Sequence, residues 1–232
     1  MPAYVEVTTA SQSLLPSPCP ECLWWQTPDG PEPAYDGPER TRDRPDPRPE
    51  RTRDDPKPSS GEVALAARLA WMHDIERSWG SVGLVAVEGR EVLASIQFAP
   101  ASALPRTQVL SPGAPPGESV LLFCLRGRVG RPSVEAEELL HRAMMHLRRR
   151  HVRHAYAYAR PLGSKSLCGI RNLFGLEFLE ANGFTVVRAI GSAYLVQTDL
   201  AGLAPAVAEA GWTVRRLLGA GGQPSPATFN QS

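Results

Sequence analysis

The sequence around residue 180 constrains the fold most, because a helix end and a strand start fall within a few residues. Residues 177–181 form an apolar, carboxylate-bearing turn of helix that ends on Asn182-Gly183. Either residue can take the left-handed conformation that closes a helix. Phe184 then returns the chain to a core, and the β-branched run 185–187 favours a strand. The chain therefore combines helices and strands in one folded unit.

Hydrophobic periodicity predicts the elements on either side of this corner. The strand–helix–strand section 119–159 should form a right-handed parallel crossover, so we expect an α/β fold with a mixed central sheet flanked by helices. The expected order is a helix over 61–79, a hairpin of strands 83–87 and 92–98, a buried strand 119–125, a helix around 136–147, a buried strand 155–159, the corner helix 174–182, strands 185–189 and 193–200, and an amphipathic helix 203–218.

The two long helices have apolar stripes at helical spacing. Ser59-Ser60 can cap the first helix, and three arginines at 148–150 suit the negative end of the second helix dipole. The first stripe consists of Leu65, Leu69, Met72, Ile75 and Trp79, and the second of Ala136, Leu139, Leu140, Ala143, Met144 and Leu147.

Composition divides the chain into five predicted parts. Many of its 23 prolines fall between residues 28 and 58 among Asp, Glu and Arg, and such a stretch buries too little apolar surface to offset its ordering entropy. We predict a Cys- and Trp-containing lead-in over 1–27, a disordered linker over 28–60, a folded domain over 61–200, a helix over 201–218 and a disordered tail over 219–232.

Charge and hydropathy exclude several classes of protein. A net charge of +1 over 232 residues gives no whole-molecule case for nucleic acid or a membrane surface. No apolar run approaches the ~20 residues that span a bilayer, and the first residues lack a signal-peptide pattern. The basic patch 148–154 has no interleaved aromatic residues, so a nucleic-acid partner is not expected. A cytoplasmic protein with reduced thiols is the expectation.

The segment Glu177–Phe184 resembles the helix-to-strand corner of GCN5-related N-acetyltransferases (GNAT), whose usual form is Phe-Tyr-Glu-x-x-Gly-Phe. The resemblance covers about Glu62–Leu200. The Cys-x-x-Cys lead-in with its aromatic pair is similar to that of actinobacterial-looking relatives, which marks a divergent, actinobacterial-type member. The resemblance implies the acyl-CoA N-acyltransferase fold, with the cofactor held between the two central parallel strands. In the family, a first strand precedes the first helix, and Tyr4–Thr8 is the candidate for it here. The long linker between this segment and the rest of the domain argues against that assignment.

The resemblance also implies acetyl-coenzyme A as the cofactor and places its diphosphate at the start of the helix 136–147. Backbone amides at a helix N-terminus cradle phosphates. Aligned on Leu139-Leu140, Arg131 and Ala136 match the family pattern, whereas Val134 replaces its first glycine and resists a positive φ. Acidic residues at 135, 137 and 138 would repel a diphosphate, while the cations Arg126, Arg128 and Arg131 would offset them.

The buried strand before that turn is the second predicted contact with the cofactor. In the family, the pantetheine arm pairs like an extra strand with the main chain at the positions of Phe123, Cys124 and Leu125. Main-chain pairing needs no particular side chain. Cys124 itself is expected to be a small buried hydrophobe rather than a nucleophile.

No catalytic residue can be assigned from the sequence. The family's usual acid is the tyrosine of its corner motif, and Leu179 stands there. Tyr156 and Tyr158 on the neighbouring strand are expected to pack in the core, and Gln97 is not basic. Three glutamates that could act as bases are expected on exposed turns: Glu88, Glu91 and Glu118.

The pair Cys19 and Cys22 supplies two of the four ligands that a tetrahedral zinc site needs. Redox pairing and simple packing are the other interpretations, and no metal site is predicted. Two functional hypotheses therefore stand. One is an N-acetyltransferase that acts on a small-molecule or protein amine. The other is a catalytically inactive domain of the same fold with a binding or regulatory role, whose N-terminal segment recruits a protein partner.

Overall fold

The computed structural model describes residues 2–28, 59–127, 134–161 and 173–202. Almost all of the predicted linker and tail, and nearly all of the predicted C-terminal helix, lie outside the described residues. So do Arg128 and Arg131, which were predicted to contact the cofactor. In the described part, no helix is long and apolar enough to cross a membrane.

The described strands form one mixed sheet, which confirms the predicted fold class. The strands are β1 (Ala3–Glu6), β2 (Gly83–Glu88), β3 (Glu91–Pro100), β4 (Val120–Gly127), β5 (His154–Arg160), β6 (Phe174–Gly175), β7 (Thr185–Ile190) and β8 (Ala193–Asp199). Their order in the sheet is β1-β2-β3-β4-β5-β8-β7, with β6 paired to β5. Neighbours are antiparallel except β4 with β5 and β5 with β6.

Within the described ranges, three α-helices accompany the sheet: α1 (Ser60–Ser78), α2 (Val134–Arg149) and α3 (Leu176–Ala181). Ser59 and Glu62 form a capping box at the start of α1, where each side chain bonds the other's backbone amide. This arrangement satisfies two amides that a helix start leaves unpaired. The six residues of the predicted second stripe are the buried residues of α2.

The corner near residue 180 closes as the sequence predicts. Gly183 has φ +84°, and its amide bonds the Glu180 carbonyl at 3.1 Å. The Phe184 amide bonds the Leu179 carbonyl, also at 3.1 Å. These two bonds define the Schellman ending of a helix, in which glycine takes the left-handed position. The chain then enters β7 directly.

The two faces of the sheet are covered by different parts of the chain. On one face, α2 and α3 pack against a wholly apolar cluster that includes Ile96, Leu122 and Ala157. On the other face lie α1, the loop after β3 and the N-terminal segment 7–25, which bury Met72 and two tryptophans. Trp71 of α1 donates from Nε1 to the Ala103 carbonyl at 2.9 Å, which ties the helix to that loop.

The N-terminal segment contributes the first strand of the sheet. Its strand β1 pairs with β2, from Ala3 opposite Val87 to Glu6 opposite Leu84. Beyond β1, the Thr9 amide and hydroxyl both bond the Glu76 carboxylate of α1, at 3.0 and 2.9 Å. The length of the intervening chain argued against this strand at the sequence level, yet loop closure becomes only slowly more costly with length.

Candidate functional site

The two central parallel strands separate soon after they meet. Within the described residues, β4 and β5 are paired only at Val120 with Ala155 and at Leu121 with Tyr156. Both strands then continue, β4 to Gly127 and β5 to Arg160. A gap therefore opens between them along the second half of β4.

A β-bulge in β4 lies at this gap. On β3, Ser95 and Gln97 are two positions apart, whereas their partners Arg126 and Phe123 on β4 are three positions apart. Cys124 takes the extra position with φ +53°. A bulge bends its strand and re-aims the neighbouring groups, and a left-handed non-glycine residue is uncommon. The predicted contacts Phe123, Cys124 and Leu125 thus lie at the bend that turns β4 away from β5.

The far end of the gap is bounded by β6. Phe174 and Gly175 pair with Ala159 and Arg160 of β5. At Ala159 the opposite edge of β5 is already occupied by Tyr194 of β8, so β6 lies on the edge that faces β4. The gap therefore spans the short stretch of β5 between Tyr156 and Ala159.

Trp25 covers the gap on the face that carries the N-terminal segment. Its ring centroid is 5.4 Å from that of Phe123 on β4 and 6.0 Å from that of Tyr158 on β5, where the rings are stacked at 29°. Trp25 is 2% exposed, and its Nε1 has no hydrogen-bond partner. Trp24 packs edge-on against it, and the Trp24 carbonyl accepts from Arg106 Nε at 2.9 Å. The N-terminal segment thus bridges the two diverging strands.

The two tyrosines of β5 are buried beside the gap, as predicted. Tyr158 donates its hydroxyl to the Gly113 carbonyl at 2.9 Å, with Thr107 O at 3.3 Å. Burial raises the pKa of Tyr158, which the charge of Arg188 partly offsets. Burial also raises the pKa of Tyr156. Both phenols are therefore neutral at physiological pH, and the hydroxyl of Tyr158 already serves to hold the loop.

A buried polar cluster lies next to the bulge. Arg68 of α1 is 1% exposed and donates from Nη2 to Oε1 of Gln97, the residue opposite Phe123. Ser95, two residues earlier on β3, is fully buried and its hydroxyl has no hydrogen-bond partner. Sequence reasoning missed Arg68, although its spacing from Leu65 and Met72 places it on the apolar face of the helix.

The cysteine pair of the N-terminal segment lies in the same region. Cys19 is 2% exposed, Cys22 is half-buried, and both thiols are free. Burial raises the pKa of Cys19 despite the nearby charges of Arg126 and Arg68. Among the described residues, no three His, Cys, Asp or Glu side chains are placed to hold a metal ion.

The predicted diphosphate turn is only partly described. Residues 128–133 lie outside the described residues, so the roles of Arg128 and Arg131 stay predictions. Val134 begins α2 with 58% of its surface exposed, and Ala136 is fully buried against the sheet. Arg126 is half-buried, opposite Ser95.

The positions considered for acid and base catalysis lie away from the gap or lack the chemistry. Leu179 is fully buried in the apolar cluster under α2 and α3. Gln97 accepts from Arg68. The three glutamates considered as bases are exposed, as expected: Glu88, Glu91 and Glu118.

Comparison with known proteins gives likenesses of structure only. No protein-family model matches the chain, and no curated protein matches it. The PaiA N-acetyltransferase of Thermoplasma acidophilum, solved with coenzyme A, is 12% identical, with 86% of this chain and 99% of that chain covered and a TM-score of 0.45. The GNAT domain of S. lividans PAT is 14% identical, with 85% and 90% covered and a TM-score of 0.45.

The aminoglycoside 6'-acetyltransferase type Ii is 12% identical, with 61% of this chain and 79% of that chain covered and a TM-score of 0.40. These values are too low to transfer any activity to this chain. The fold rests instead on the strand order, on the parallel pair that diverges after two residue pairs, and on the bulge in β4. This architecture agrees with the acyl-CoA N-acyltransferase fold that the sequence led us to expect.

Proposed function

We propose that this protein binds an acyl-coenzyme A in the gap between β4 and β5 and transfers its acyl group to an amine, with acetyl-coenzyme A as the donor. The observation that carries the proposal is the divergence of these strands after Leu121 and Tyr156, together with the bulge at Cys124. No other pair of neighbouring strands in the described sheet separates in this way.

The gap suits an extended, amide-bearing molecule. The pantetheine arm of coenzyme A contains two amides, and an extended chain can pair with an exposed strand edge through main-chain hydrogen bonds. Past Leu121, the β5-facing edge of β4 offers such an edge at Phe123 and Leu125. The thioester would then reach the bend at the bulge, close to Trp25 and Tyr158.

The other end of the cofactor would lie toward the start of α2. A helix N-terminus attracts phosphate through its dipole and its unpaired amides. Val134 is largely exposed there rather than packed. We therefore retain Arg126, Arg128 and Arg131 as the proposed cations for the diphosphate, and Ala136 as the small residue that packs the helix start on the sheet.

The transfer itself does not require the missing tyrosine. The amine nitrogen attacks the thioester carbonyl, the C–N bond forms, the C–S bond breaks, and coenzyme A leaves as a thiolate while the amine proton passes to water. A thiol has a pKa of about 8.5, so its release as a thiolate near pH 7.5 is unfavourable by only about 1.4 kcal/mol. Leucine at position 179 therefore slows the reaction without blocking it.

A second candidate is a domain that binds coenzyme A without turnover. It is favoured by Leu179, which is buried and cannot donate a proton, and by the engagement of the Tyr158 hydroxyl with the Gly113 carbonyl. The cytoplasmic location, the identity of the amine and a protein partner for the N-terminal segment all remain proposals. The two tryptophans of that segment are buried in the folded unit.

Calorimetry with acetyl-coenzyme A and with free coenzyme A tests the binding step. We expect a single site with micromolar affinity for both ligands. Arg131→Glu should weaken binding several-fold or more, because it reverses a charge beside the diphosphate. Arg149→Glu is the matched control, since it makes the same charge change at the opposite end of α2, and it should leave the affinity unchanged.

Thiol release from acetyl-coenzyme A in the presence of a mixed amine panel then separates the two candidates. Amine-dependent release identifies a transferase, whereas binding without release supports the inactive domain. The absence of heat at high micromolar ligand would contradict both candidates. Equal affinities for Arg131→Glu and Arg149→Glu would show that the diphosphate lies elsewhere.

A further inference from the structure

Arg68 is the one charged side chain among the buried residues that the structure describes. It is 1% exposed, on the α1 helix, with Nη2 bonded to Gln97 and with no hydrogen-bond partner on Nε. Its guanidinium also lies 4.5 Å from the centre of the Trp71 ring. A buried guanidinium normally has a carboxylate partner, because an unpaired charge is strongly disfavoured away from water.

No carboxylate faces Arg68 in the described part of the chain. Burial lowers its pKa, and the groups whose charges would oppose that shift are the thiols of Cys124, Cys22 and Cys19. The Cys19 thiol is kept neutral by its own burial. Among the described residues, the positive charge of Arg68 therefore has no negative charge beside it.

Buried hydrogen-bond donors around Arg68 also lack acceptors. The Ser95 hydroxyl is fully buried without a partner. It shares a face with Val85, its partner across the β2–β3 ladder, which packs in the cluster with Met72 of α1. Trp25 Nε1 is a third buried donor without a partner, on the ring that contacts Phe123. Phe123 is the ladder partner of Gln97, so the Trp25 ring contacts the strand position next to the residue that Arg68 bonds.

We propose that Arg68, supported by Gln97 and Ser95, binds a carboxylate carried by a substrate of this protein. A carboxylate is planar, accepts two parallel bonds from a guanidinium, and accepts further bonds from hydroxyl or indole donors. Because Arg68 lies beside the bulge, the bound carboxylate would lie near the acyl end of the gap rather than the diphosphate end. The proposal thus rests on the proposed function and specifies its substrate class.

The carboxylate can belong to either reactant. A dicarboxylic acyl group, in place of the acetyl group proposed above, would carry its free carboxylate beyond the thioester. An amino acid acceptor would instead bring the carboxylate with the attacking amine. From either source, the carboxylate neutralises the charge of Arg68 only while the ligand is bound. The N-terminal segment, which covers this face through Trp25, would therefore have to open for the ligand to enter.

The first test uses the ligand-free protein. Arg68→Met keeps the length and apolar stem of the side chain but removes the charge, so it should raise the melting temperature by a few degrees. Arg77→Met, an exposed position on the same helix, is the control and should leave it unchanged. A fall in melting temperature for Arg68→Met beyond that of Arg77→Met would show that the contacts of Arg68 with Gln97 and Trp71 stabilise its charge without a ligand, which overturns the proposal.

The second test compares ligands that differ in one carboxylate. Succinyl-coenzyme A is compared with butyryl-coenzyme A, and each amino acid of a standard panel is compared with its carboxamide in the presence of coenzyme A. In one of these two comparisons, which form the two arms of the test, the ligand with the carboxylate should bind at least 10-fold more tightly than the ligand without it. That ratio should fall to about one in Arg68→Met and persist in Arg77→Met. The arm that shows the preference identifies the source.

The outcomes separate this proposal from the proposed function. If coenzyme A binds and neither arm prefers the carboxylate, the carboxylate site is wrong and the cofactor site stands. If coenzyme A does not bind, the proposed function fails. The carboxylate site is then supported if free succinate raises the melting temperature of the native protein but not of Arg68→Met, and it is overturned otherwise. A carboxylate preference that survives in Arg68→Met also overturns the assignment.

Discussion

The two faces of the sheet differ in what they bury. The face under α2 and α3 buries an apolar cluster in which the residues of α2 repeat at helical spacing. The face under α1 and the N-terminal segment also buries Arg68, Gln97 and Ser95, together with the hydroxyl of Tyr158. Buried polar groups cost stability unless they are paired. The first face is built for stability, and the second carries features expected of a binding site.

The largest expected effect concerns the second face. Trp25→Ala removes the ring that bridges Phe123 and Tyr158, and a buried tryptophan truncation typically costs about 3–5 kcal/mol. We expect that loss in the free energy of unfolding measured with denaturant. Trp25→Phe is the control. It keeps a ring and removes an indole N–H that has no partner, so it should cost less than half as much.

A loss below about 1 kcal/mol for Trp25→Ala would contradict the packing of the N-terminal segment on the sheet. The face under α1 and the N-terminal segment would then be open to solvent, and the two faces would no longer differ in how they bury polar groups. Arg68 would gain water as its partner, and the argument for a substrate carboxylate would fail with it.

The next effect concerns the apolar face. Leu140 of α2 is fully buried in the apolar cluster, and Leu→Ala at such a site costs about 2–5 kcal/mol. Leu140→Ala should therefore destabilise the fold without changing the affinity for coenzyme A at temperatures where the variant is folded. Leu140→Met, which conserves volume, should cost less than about 1.5 kcal/mol. A specific loss of coenzyme A affinity in folded Leu140→Ala would show that the two faces are not independent.

The apolar face could be predicted from the sequence, because its information is local. The stripe of α2 and the Asn182-Gly183 ending both depend on residues a few positions apart, and the structure confirms both. The hairpin β2–β3 follows from two β-branched runs and a short turn at Gly89. Periodicity and turn chemistry are enough for such elements.

The second face depends on contacts between distant segments. Arg68 meets Gln97 across 29 residues, and Trp25 meets Phe123 across about a hundred. A charged residue on an apolar helix face is read as exposed, which is why Arg68 was missed. The bulge at Cys124 was also missed, since nothing in the residue type signals a positive φ there. The gap itself was anticipated only through the family resemblance.

The smallest expected effect is the loss of the Tyr158 hydroxyl, whose contribution to stability depends on pH. Tyr158→Phe removes the hydroxyl that bonds the Gly113 carbonyl and should cost about 1–2 kcal/mol at neutral pH. Burial raises the pKa of Tyr158 in the folded state, while an unfolded tyrosine titrates near 10. Below about pH 10 both states hold the proton, and the native stability is fully present. Above about pH 10 the unfolded state releases the proton first. The free energy of unfolding therefore falls as pH rises toward the folded-state pKa, by at most about 1.4 kcal/mol per pH unit.

Unfolding curves between about pH 9 and pH 11 measure this slope. The native protein should lose stability over that range, and Tyr158→Phe should lose less, so the difference between the two proteins narrows as pH rises. Tyr194→Phe is the matched control, because Tyr194 lies on the neighbouring strand β8 and is only half-buried. Parallel curves for the native protein and Tyr158→Phe would mean that the phenol ionises freely in the folded state. The second face would then be hydrated beside the gap, and the contrast with the apolar face would be one of solvent access rather than of buried polarity.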